Sequence, residues 1–269
     1  MNGQVKFFAR PKLKNPVLLA SWPGVSNVSL NVTTYLLKKL PFKKLAEIEP
    51  LDFFEPIGVM VRNSIVEAPQ FPRSEFYYWK NRRGDSDIII FVGEDQPAAK
   101  AYDLANMVMD VAERYKVTRV YTCAAALTRM HHTEQSRVWG AASNEVVAHE
   151  LRERNLWQAG ALQIAGLNGL LLGIAKERKI DGICLLGEVP TYASRLPNPV
   201  AALAIVNVLT RMLGITIDTE ELSQIAEEVK EKMKQAAATA MGEYIDYFTE
   251  PIWEYGEEEG EDGEGEEET

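Results

Sequence analysis

Short, continuous apolar runs punctuate the chain and predict strands that are buried on both faces. Residues 86–93 read SDIIIFVG and residues 182–189 read GICLLGEV, and turn-forming residues bound each run. Such runs are typical of strands inside a parallel sheet that is covered on both sides. Further strands are predicted at 17–20, 119–127 and 161–165, and a strand followed by a short turn at 43–54.

Between these runs, apolar residues recur every three or four positions and predict helices. In the first such segment Val28, Val32 and Leu36 fall on one helical face, and Pro41 ends it. The predicted helices span residues 26–40, 97–115, 143–154, 168–178, 200–213 and 219–247. Because strands and helices alternate, the sequence predicts an α/β fold, a three-layer sandwich around a mostly parallel central sheet.

Residues 58–80 depart from this alternation. They contain the short β-like stretches VMVR, SIVEA and EFYYWK, which Pro69 and Pro72 separate. Short runs divided by proline favour edge or hairpin structure over a central strand. A hairpin or small antiparallel extension is therefore predicted here.

The charge of −10 is concentrated at the C-terminal end. Residues 254–269 contain ten acids and no Lys or Arg, which leaves 39 − 10 = 29 acids against 29 bases in the rest. A neutral body argues against nucleic acid as a partner, since phosphate binding requires a basic surplus. The Gly/Glu-rich composition predicts a disordered acidic tail at 249–269 after a single α/β domain at 1–248.

Composition also indicates the compartment. Cys123 and Cys184 lie in apolar runs without metal-type neighbours, so both are predicted to be buried free thiols of a reducing compartment. The N-terminal residues show neither the apolar core nor the cleavage site of a secretory signal. No apolar run approaches the roughly 20 residues that span a membrane. We therefore expect a cytoplasmic protein that does not bind membranes.

Glycines and polar residues cluster where the predicted strands end. In an open α/β sheet, ligands bind beyond the carboxyl ends of the strands, so these residues are expected to share one edge. The residues predicted to form this ligand or partner edge are Trp22, Gly24, Asn27, Glu94, Asp95, His131, Asn168, Gly169, Glu188 and Tyr192.

The segment AGLNGLLLG superficially resembles a phosphate-binding loop. Its glycines, Gly166, Gly169 and Gly173, do not have the G-x-G-x-x-G spacing of a dinucleotide motif. A tight strand–helix turn is the favoured interpretation, with Asn168 as the N-cap and Gly173 allowing close helix packing. Phosphate binding remains the less favoured alternative.

No set of residues carries a convincing catalytic or metal-binding pattern. His131 and His132 are adjacent and lack an evident third ligand. Glu94, Asp95 and Glu188 could act as acid, base or magnesium ligands, but carboxylates at strand ends also cap helices, which is the favoured interpretation. The sequence therefore predicts no catalytic residues, no metal and no cofactor.

Several segments resemble the PAC2 family of proteasome-assembly-chaperone-like proteins. They are GLNGLLLGIAKERKIDGICLLGEVPTY at 166–192, PNPVAALAIVNVLTRMLGITID at 197–218, LLASWPGVSNVSLNVTTYL at 18–36 and LAEIEPLDFFE at 45–55. The resemblance covers about residues 17–225. It implies a phosphorylase/hydrolase-like α/β sandwich and homo-oligomers or paired heterodimers. It also implies a role in protein assembly, since eukaryotic relatives help to assemble proteasome α-rings and archaeal relatives can bind proteasomes.

The resemblance leaves the client open. Proteasome-docking relatives can end in a hydrophobic–tyrosine–any-residue tripeptide, whereas this chain ends Glu267-Glu268-Thr269, so docking by that route is not predicted. Some bacterial members have been linked to ATP-grasp enzymes, but the chain has no matching glycine-rich loop or spaced Lys-and-carboxylate set. The expected function is an oligomeric, protein-binding, chaperone-like protein that binds itself and another protein. The alternatives are a nucleoside- or ATP-dependent enzyme and a structural subunit.

Overall fold

The centre of the fold is a nine-stranded mixed sheet. The structure is a computed structural model, and it describes residues 5–56, 58–158 and 160–249. Eleven strands are present in these residues: β1 (Val5–Phe7), β2 (Val17–Ser21), β3 (Lys43–Ile48), β4 (Val61–Arg62), β5 (Ile65–Val66), β6 (Ser74–Trp79), β7 (Ile88–Gly93), β8 (Arg119–Thr128), β9 (Val138–Ala142), β10 (Trp157–Gln158) and β11 (Asp181–Pro190). The tail predicted to be disordered lies, from residue 250 onward, outside the described residues.

The strand order in this sheet is β1-β3-β6-β7-β2-β8-β11-β9-β10. The four central strands β7, β2, β8 and β11 run parallel, whereas the pairs on the β1 side and the β9–β11 pair are antiparallel. The separate hairpin of β4 and β5 confirms the predicted antiparallel extension, although β6 joins the main sheet. The parallel centre places the carboxyl ends of four strands at one edge.

Helices cover both faces of the sheet, which confirms the α/β prediction. They are α1 (Val28–Lys39), α2 (Ala101–Arg114), α3 (Glu145–Glu153), α4 (Gly166–Glu177), α5 (Pro199–Leu213) and α6 (Glu220–Thr249). The apolar core is split by the sheet, with α1, α3 and α5 on one face and α2 and α4 on the other. Successive residues of β2 alternate between the two: Leu19 joins the first cluster and Leu18 the second.

Two element predictions were wrong. Residues 161–165 form no strand but an irregular connection to α4. The strand that pairs on the outer side of β11 is instead β9, in a stretch interpreted as a loop. The first helix also begins at Val28, because Ser26 and Asn27 have left-handed φ angles of 53° and 50°.

Candidate functional site

A cavity of about 360 Å³ lies at the carboxyl edge of the parallel strands. Small side chains of β8, including Ala124, Ala125 and Ala126, form part of its wall. The remaining lining comes from Gly24, Val25, Ser29, Gln96, Leu127, residues 162–165, Asn168 and Leu186. This is the edge at which a ligand or partner site was predicted, because open α/β sheets bind ligands beyond their strand ends.

Asn168 joins the loop after β2 to the first turn of α4. Its Oδ1 accepts hydrogen bonds from the Trp22 backbone N–H at 3.2 Å and the Ser29 hydroxyl at 3.3 Å, and its Nδ2 donates to the Trp22 carbonyl at 3.3 Å. The predicted N-cap role was wrong, since the N-cap residue of α4 is Ala165. The buried Asn168 amide instead fixes a neighbouring loop.

Gln96 makes a second bridge across the same gap and was missed by sequence reasoning. Its Nε2 donates to the Pro23 carbonyl at 2.5 Å, and its Oε1 accepts from the Leu167 N–H at 2.9 Å. The second bond satisfies one of the free backbone N–H groups at the start of α4. Together the two carboxamides join the loop after β2 to the start of α4 beside the cavity.

Gly169 is required by packing at the start of α4. A Cβ at this position would lie 1.9 Å from the carbonyl oxygen of Ile164, far inside van der Waals contact. The predicted strand–helix turn is wrong in its strand, because residues 161–165 form none, but the close approach of the backbone to the start of α4 is present. Gly173 does not have the predicted packing role, because a Cβ there would meet nothing within 4 Å.

The residues predicted after β2 take three different positions. Trp22 is fully buried against Phe91, with ring centroids 4.8 Å apart, and is not part of the cavity wall. Gly24 lines the cavity, whereas Asn27 is exposed and its side chain makes no capping bond to α1.

Glu188 forms a buried ion pair on β11. Its side chain is only 1% exposed, and its carboxylate accepts from Arg137 Nε at 2.8 Å and Arg137 Nη2 at 3.0 Å. The Arg137 backbone N–H at 3.2 Å and the Trp139 indole N–H at 3.1 Å add two further bonds. Burial opposes the charged form, but the bonds from Arg137 and Trp139 outweigh it and lower the pKa of Glu188. The helix-capping interpretation of Glu188 is replaced by this pair.

His131 lies in the loop after β8, and Tyr192 lies just after the end of β11. The Tyr192 hydroxyl accepts from the His132 backbone N–H at 2.9 Å and lies 3.0 Å from His132 Nδ1. His131 is exposed and bonds Thr133. Desolvation, and next the neighbouring His131, lower the pKa of His132, so the neutral ring is favoured.

Glu94 and Asp95 are also bonded within the chain. Glu94 Oε1 accepts from Arg73 Nε at 2.7 Å on the surface, and Asp95 Oδ1 accepts from the Gln96 N–H at 2.8 Å. Neither caps α2, which begins at Ala101, so the helix-capping interpretation was wrong here as well.

The ten predicted residues therefore separate into groups. Gly24 and Asn168 line the cavity, and Gly169 shapes the turn beside it. The four groups suited to acid–base chemistry, Glu94, Asp95, His131 and Glu188, are absent from its wall. Among the described residues, no cluster of His, Cys, Asp or Glu could hold a metal ion.

The hairpin of β4 and β5 carries a feature that sequence reasoning did not single out. Five apolar side chains, which lie on both faces of the hairpin and which we call the hairpin patch, are between 50% and 70% exposed: Val59, Met60, Val61, Ile65 and Val66. Val61 pairs with Val66 on one face, whereas Ile65 pairs with Arg62 on the other. Asn63 and Ser64 connect the strands with φ angles of 50° and 63°, as a type I′ turn requires. Exposed apolar patches mark interaction surfaces in soluble proteins. The sequence signal was the pair of apolar runs flanking Asn63-Ser64.

Within the described part of the chain, no helix combines the length and apolar character needed to cross a bilayer. Both cysteines are buried, as predicted, and burial raises the pKa of Cys184 to about 12. A thiol in this state is protonated and inert at neutral pH.

Comparison with known proteins gives a matching family model and a similar protein of known sequence. A family model described as the PAC2 family matches residues 18–237. Uncharacterized protein MJ1210 of Methanocaldococcus jannaschii is 28% identical over 83% of this chain and 84% of its own length.

Two solved structures from Pyrococcus furiosus are similar to most of this chain. PbaB, described as an archaeal proteasome activator, has a TM-score of 0.74 and 26% identity, covering 88% of this chain and 99% of its own. PbaA, described as an archaeal homolog of proteasome-assembly chaperone, has a TM-score of 0.67 and 23% identity, covering 89% of this chain and 100% of its own.

Proposed function

The chain belongs to the PAC2 family, and from this premise we propose that it is an oligomeric, chaperone-like protein that binds other proteins through the hairpin patch. The proposal has two parts. The chain associates with copies of itself, and the assembly holds a client protein. The observation that carries it is the exposed apolar surface of the hairpin.

Burial of the hairpin patch against a partner protein would stabilise a complex. Fully burying a Val, Ile or Met side chain stabilises by about 1.5–3 kcal/mol, and every member of the patch is at least half exposed. A two-stranded hairpin on its own is marginally stable in water. A partner that covers β4 and β5 would therefore both bury apolar surface and order the hairpin.

The similar structures indicate which clients to test first. PbaB is described as a proteasome activator and PbaA as a homolog of a proteasome-assembly chaperone. We propose a proteasome-related client on this similarity, with an archaeal proteasome core particle as the first partner to mix with the chain.

A small-molecule enzyme is the second candidate, and the 360 Å³ cavity is the observation that favours it. Ligand pockets have volumes from about 300 Å³ upward. The carboxylates proposed for catalysis do not line this cavity, which weakens the case. A thermal-shift screen with nucleosides and ATP tests it, because a ligand at 100 times its Kd adds about 2.7 kcal/mol of stability.

The decisive experiment compares V61S/I65S with V146S. Val61 and Ile65 belong to the hairpin patch, whereas Val146 is 80% exposed on α3 and serves as the matched control. Light scattering after size exclusion reports oligomer mass, and a pull-down from the native host reports a stoichiometric partner. V61S/I65S should lose the oligomer, the partner or both, while V146S keeps them. A wild-type monomer with no partner at low salt would contradict the proposal.

A further inference from the structure

A second, larger cleft lies at the opposite, amino edge of the sheet. Its volume is about 780 Å³. Leu40 after α1, Trp79 at the end of β6 and Ile215 after α5 supply apolar lining. The turn that follows β6 forms one side. This cleft belongs to neither the carboxyl-edge cavity nor the hairpin patch.

The cleft is lined by four exposed cations: Lys43, Lys80, Arg82 and Arg83. None of them forms an ion pair with a described residue. Among the described residues, no acidic side chain lines the cleft. Elsewhere Lys39, Lys44 and Arg178 each pair with two carboxylates. The cleft is thus a local positive field on a body whose formal charge is balanced.

We infer that this cleft binds the acidic segment 254–269 of a second copy of the chain. That segment carries ten carboxylates and no cation along its whole length. The segment concentrates negative charge and the cleft concentrates positive charge. Such complementarity steers and orients association. The apolar floor at Trp79 can receive the ring of Tyr255 at the start of the segment.

The course of α6 indicates a second copy as the source. Lys38 pairs with Glu221, which places the start of α6 at the amino edge. Asn198 donates to Met233 Sδ at 3.6 Å near the carboxyl edge, and the 30-residue helix continues to Thr249. At 1.5 Å per residue, Thr249 lies about 44 Å from the start of the helix.

If the segment bound the cleft of its own chain, most of its residues would be needed to span the distance back from Thr249. Spanning about 44 Å takes roughly 13 fully extended residues at about 3.4 Å each. That reaches residue 262 and leaves four of the ten acids, Glu264, Glu266, Glu267 and Glu268, for the cleft. A neighbouring copy can present all ten. This inference rests on the self-association in the proposed function.

A peptide titration tests the cleft. A fluorescent peptide of residues 254–269 is titrated with the full chain at low salt, and anisotropy reports binding. K80S/R82S/R83S should weaken binding roughly tenfold or more, and added salt should weaken the wild type. The control R129S/R195S/K232S removes three exposed cations near the other edge that pair with no described residue, and it should bind as the wild type does. Equal losses in both variants, or no binding to chain diluted until it is monomeric, overturn the assignment.

Mixed-isotope cross-linking identifies the copy that supplies the segment. Equal amounts of ¹⁵N-labelled and unlabelled full chain are treated with a carbodiimide, which joins lysine amines to carboxylates. The expected products link Lys43 or Lys80 of one isotope to segment 254–269 of the other. Links confined to one isotope overturn the second-copy assignment. The peptide titration does not require self-association, so its failure would overturn only the cleft assignment. Failure of the V61S/I65S experiment would instead overturn the proposed function.

Discussion

The carboxyl edge of the sheet and the hairpin patch differ in how their side chains are satisfied. At the carboxyl edge, Asn168 and Gln96 bond the backbone of neighbouring segments and Glu188 is held by Arg137. In the hairpin patch, Val61 and Ile65 remain mostly exposed. Polar residues at the edge therefore stabilise the fold, while the exposed apolar residues are available to a partner.

This difference shows why residue type alone does not reveal which side chains are free to bind a ligand or a partner. Polar residues at strand ends are the usual ligand candidates, yet most of those in this chain have partners inside it. The unpartnered features lie elsewhere, in the hairpin patch and in the cationic cleft at the amino edge. Whether a polar group is free depends on contacts that only the fold supplies.

The largest effect on folding is expected at Gly169. An alanine Cβ would lie 1.9 Å from the Ile164 carbonyl oxygen, so backbone has to move. Gly169→Ala should cost about 3 kcal/mol or more of unfolding free energy, or prevent folding. Gly173→Ala in the same helix meets nothing within 4 Å and should stabilise by about 0.5–1 kcal/mol. Urea unfolding of both variants checks the contrast, and equal behaviour would show that the turn tolerates a Cβ.

The next effect concerns two Arg–Glu pairs of different burial. Arg137→Ala removes the guanidinium and leaves the buried Glu188 carboxylate with the Trp139 indole N–H and the backbone N–H of residue 137 as donors. Because one partner is buried and the other half exposed, the expected cost is about 2–3 kcal/mol. Arg73→Ala breaks the exposed pair with Glu94 and should cost about 1 kcal/mol or less. Denaturant titrations measure both, and similar costs would remove the distinction between the pairs.

A smaller effect is expected from pH. The pKa of Glu188 is lowered in the fold, so the folded state favours its carboxylate. This stabilisation is complete above the unfolded pKa of about 4.3 and is lost as pH falls through the lower folded pKa. Arg137→Ala should flatten that part of the stability curve, as thermal melts between pH 3 and pH 6 would report. An unchanged curve would mean that Arg137 does not set the titration.

The smallest effect on folding is expected for V61S/I65S. Both side chains lie in the exposed hairpin, outside the two core clusters. The double substitution should change the unfolding free energy of the isolated chain by about 0.5 kcal/mol or less per site. Urea unfolding at low protein concentration measures this, and a large loss would show that the hairpin is part of the core.

Much of the fold was predictable from the sequence, because buried strands and amphipathic helices have distinct local patterns. The runs that became β7 and β11 were recognised from their unbroken apolar character. Residues 161–165 also looked like a strand, but the place beside β11 is taken by β9, a choice made by long-range pairing. The register between distant segments is not encoded in either segment alone.

The candidate site was predictable in location but not in detail. Strand ends indicated the carboxyl edge, where the cavity lies. The bonds of Gln96 to Pro23 and of Asn168 to Trp22 join residues 73 and 146 positions apart, and no local pattern reveals them. The apolar runs of the hairpin patch can be seen in the sequence. Their exposure could not be predicted, because it depends on β4 and β5 pairing outside the main sheet.

Site-specific photo-cross-linking tests the central claim most directly. A photoreactive amino acid replaces Ile65 in the hairpin patch or, as the control, Val146 on α3, and the full chain is irradiated in its native host. We expect position 65 to yield discrete cross-links to a second copy or to one client protein, and position 146 to yield none of them. The same products at both positions, or none at position 65, would contradict the assignment of the hairpin patch as the protein-binding surface.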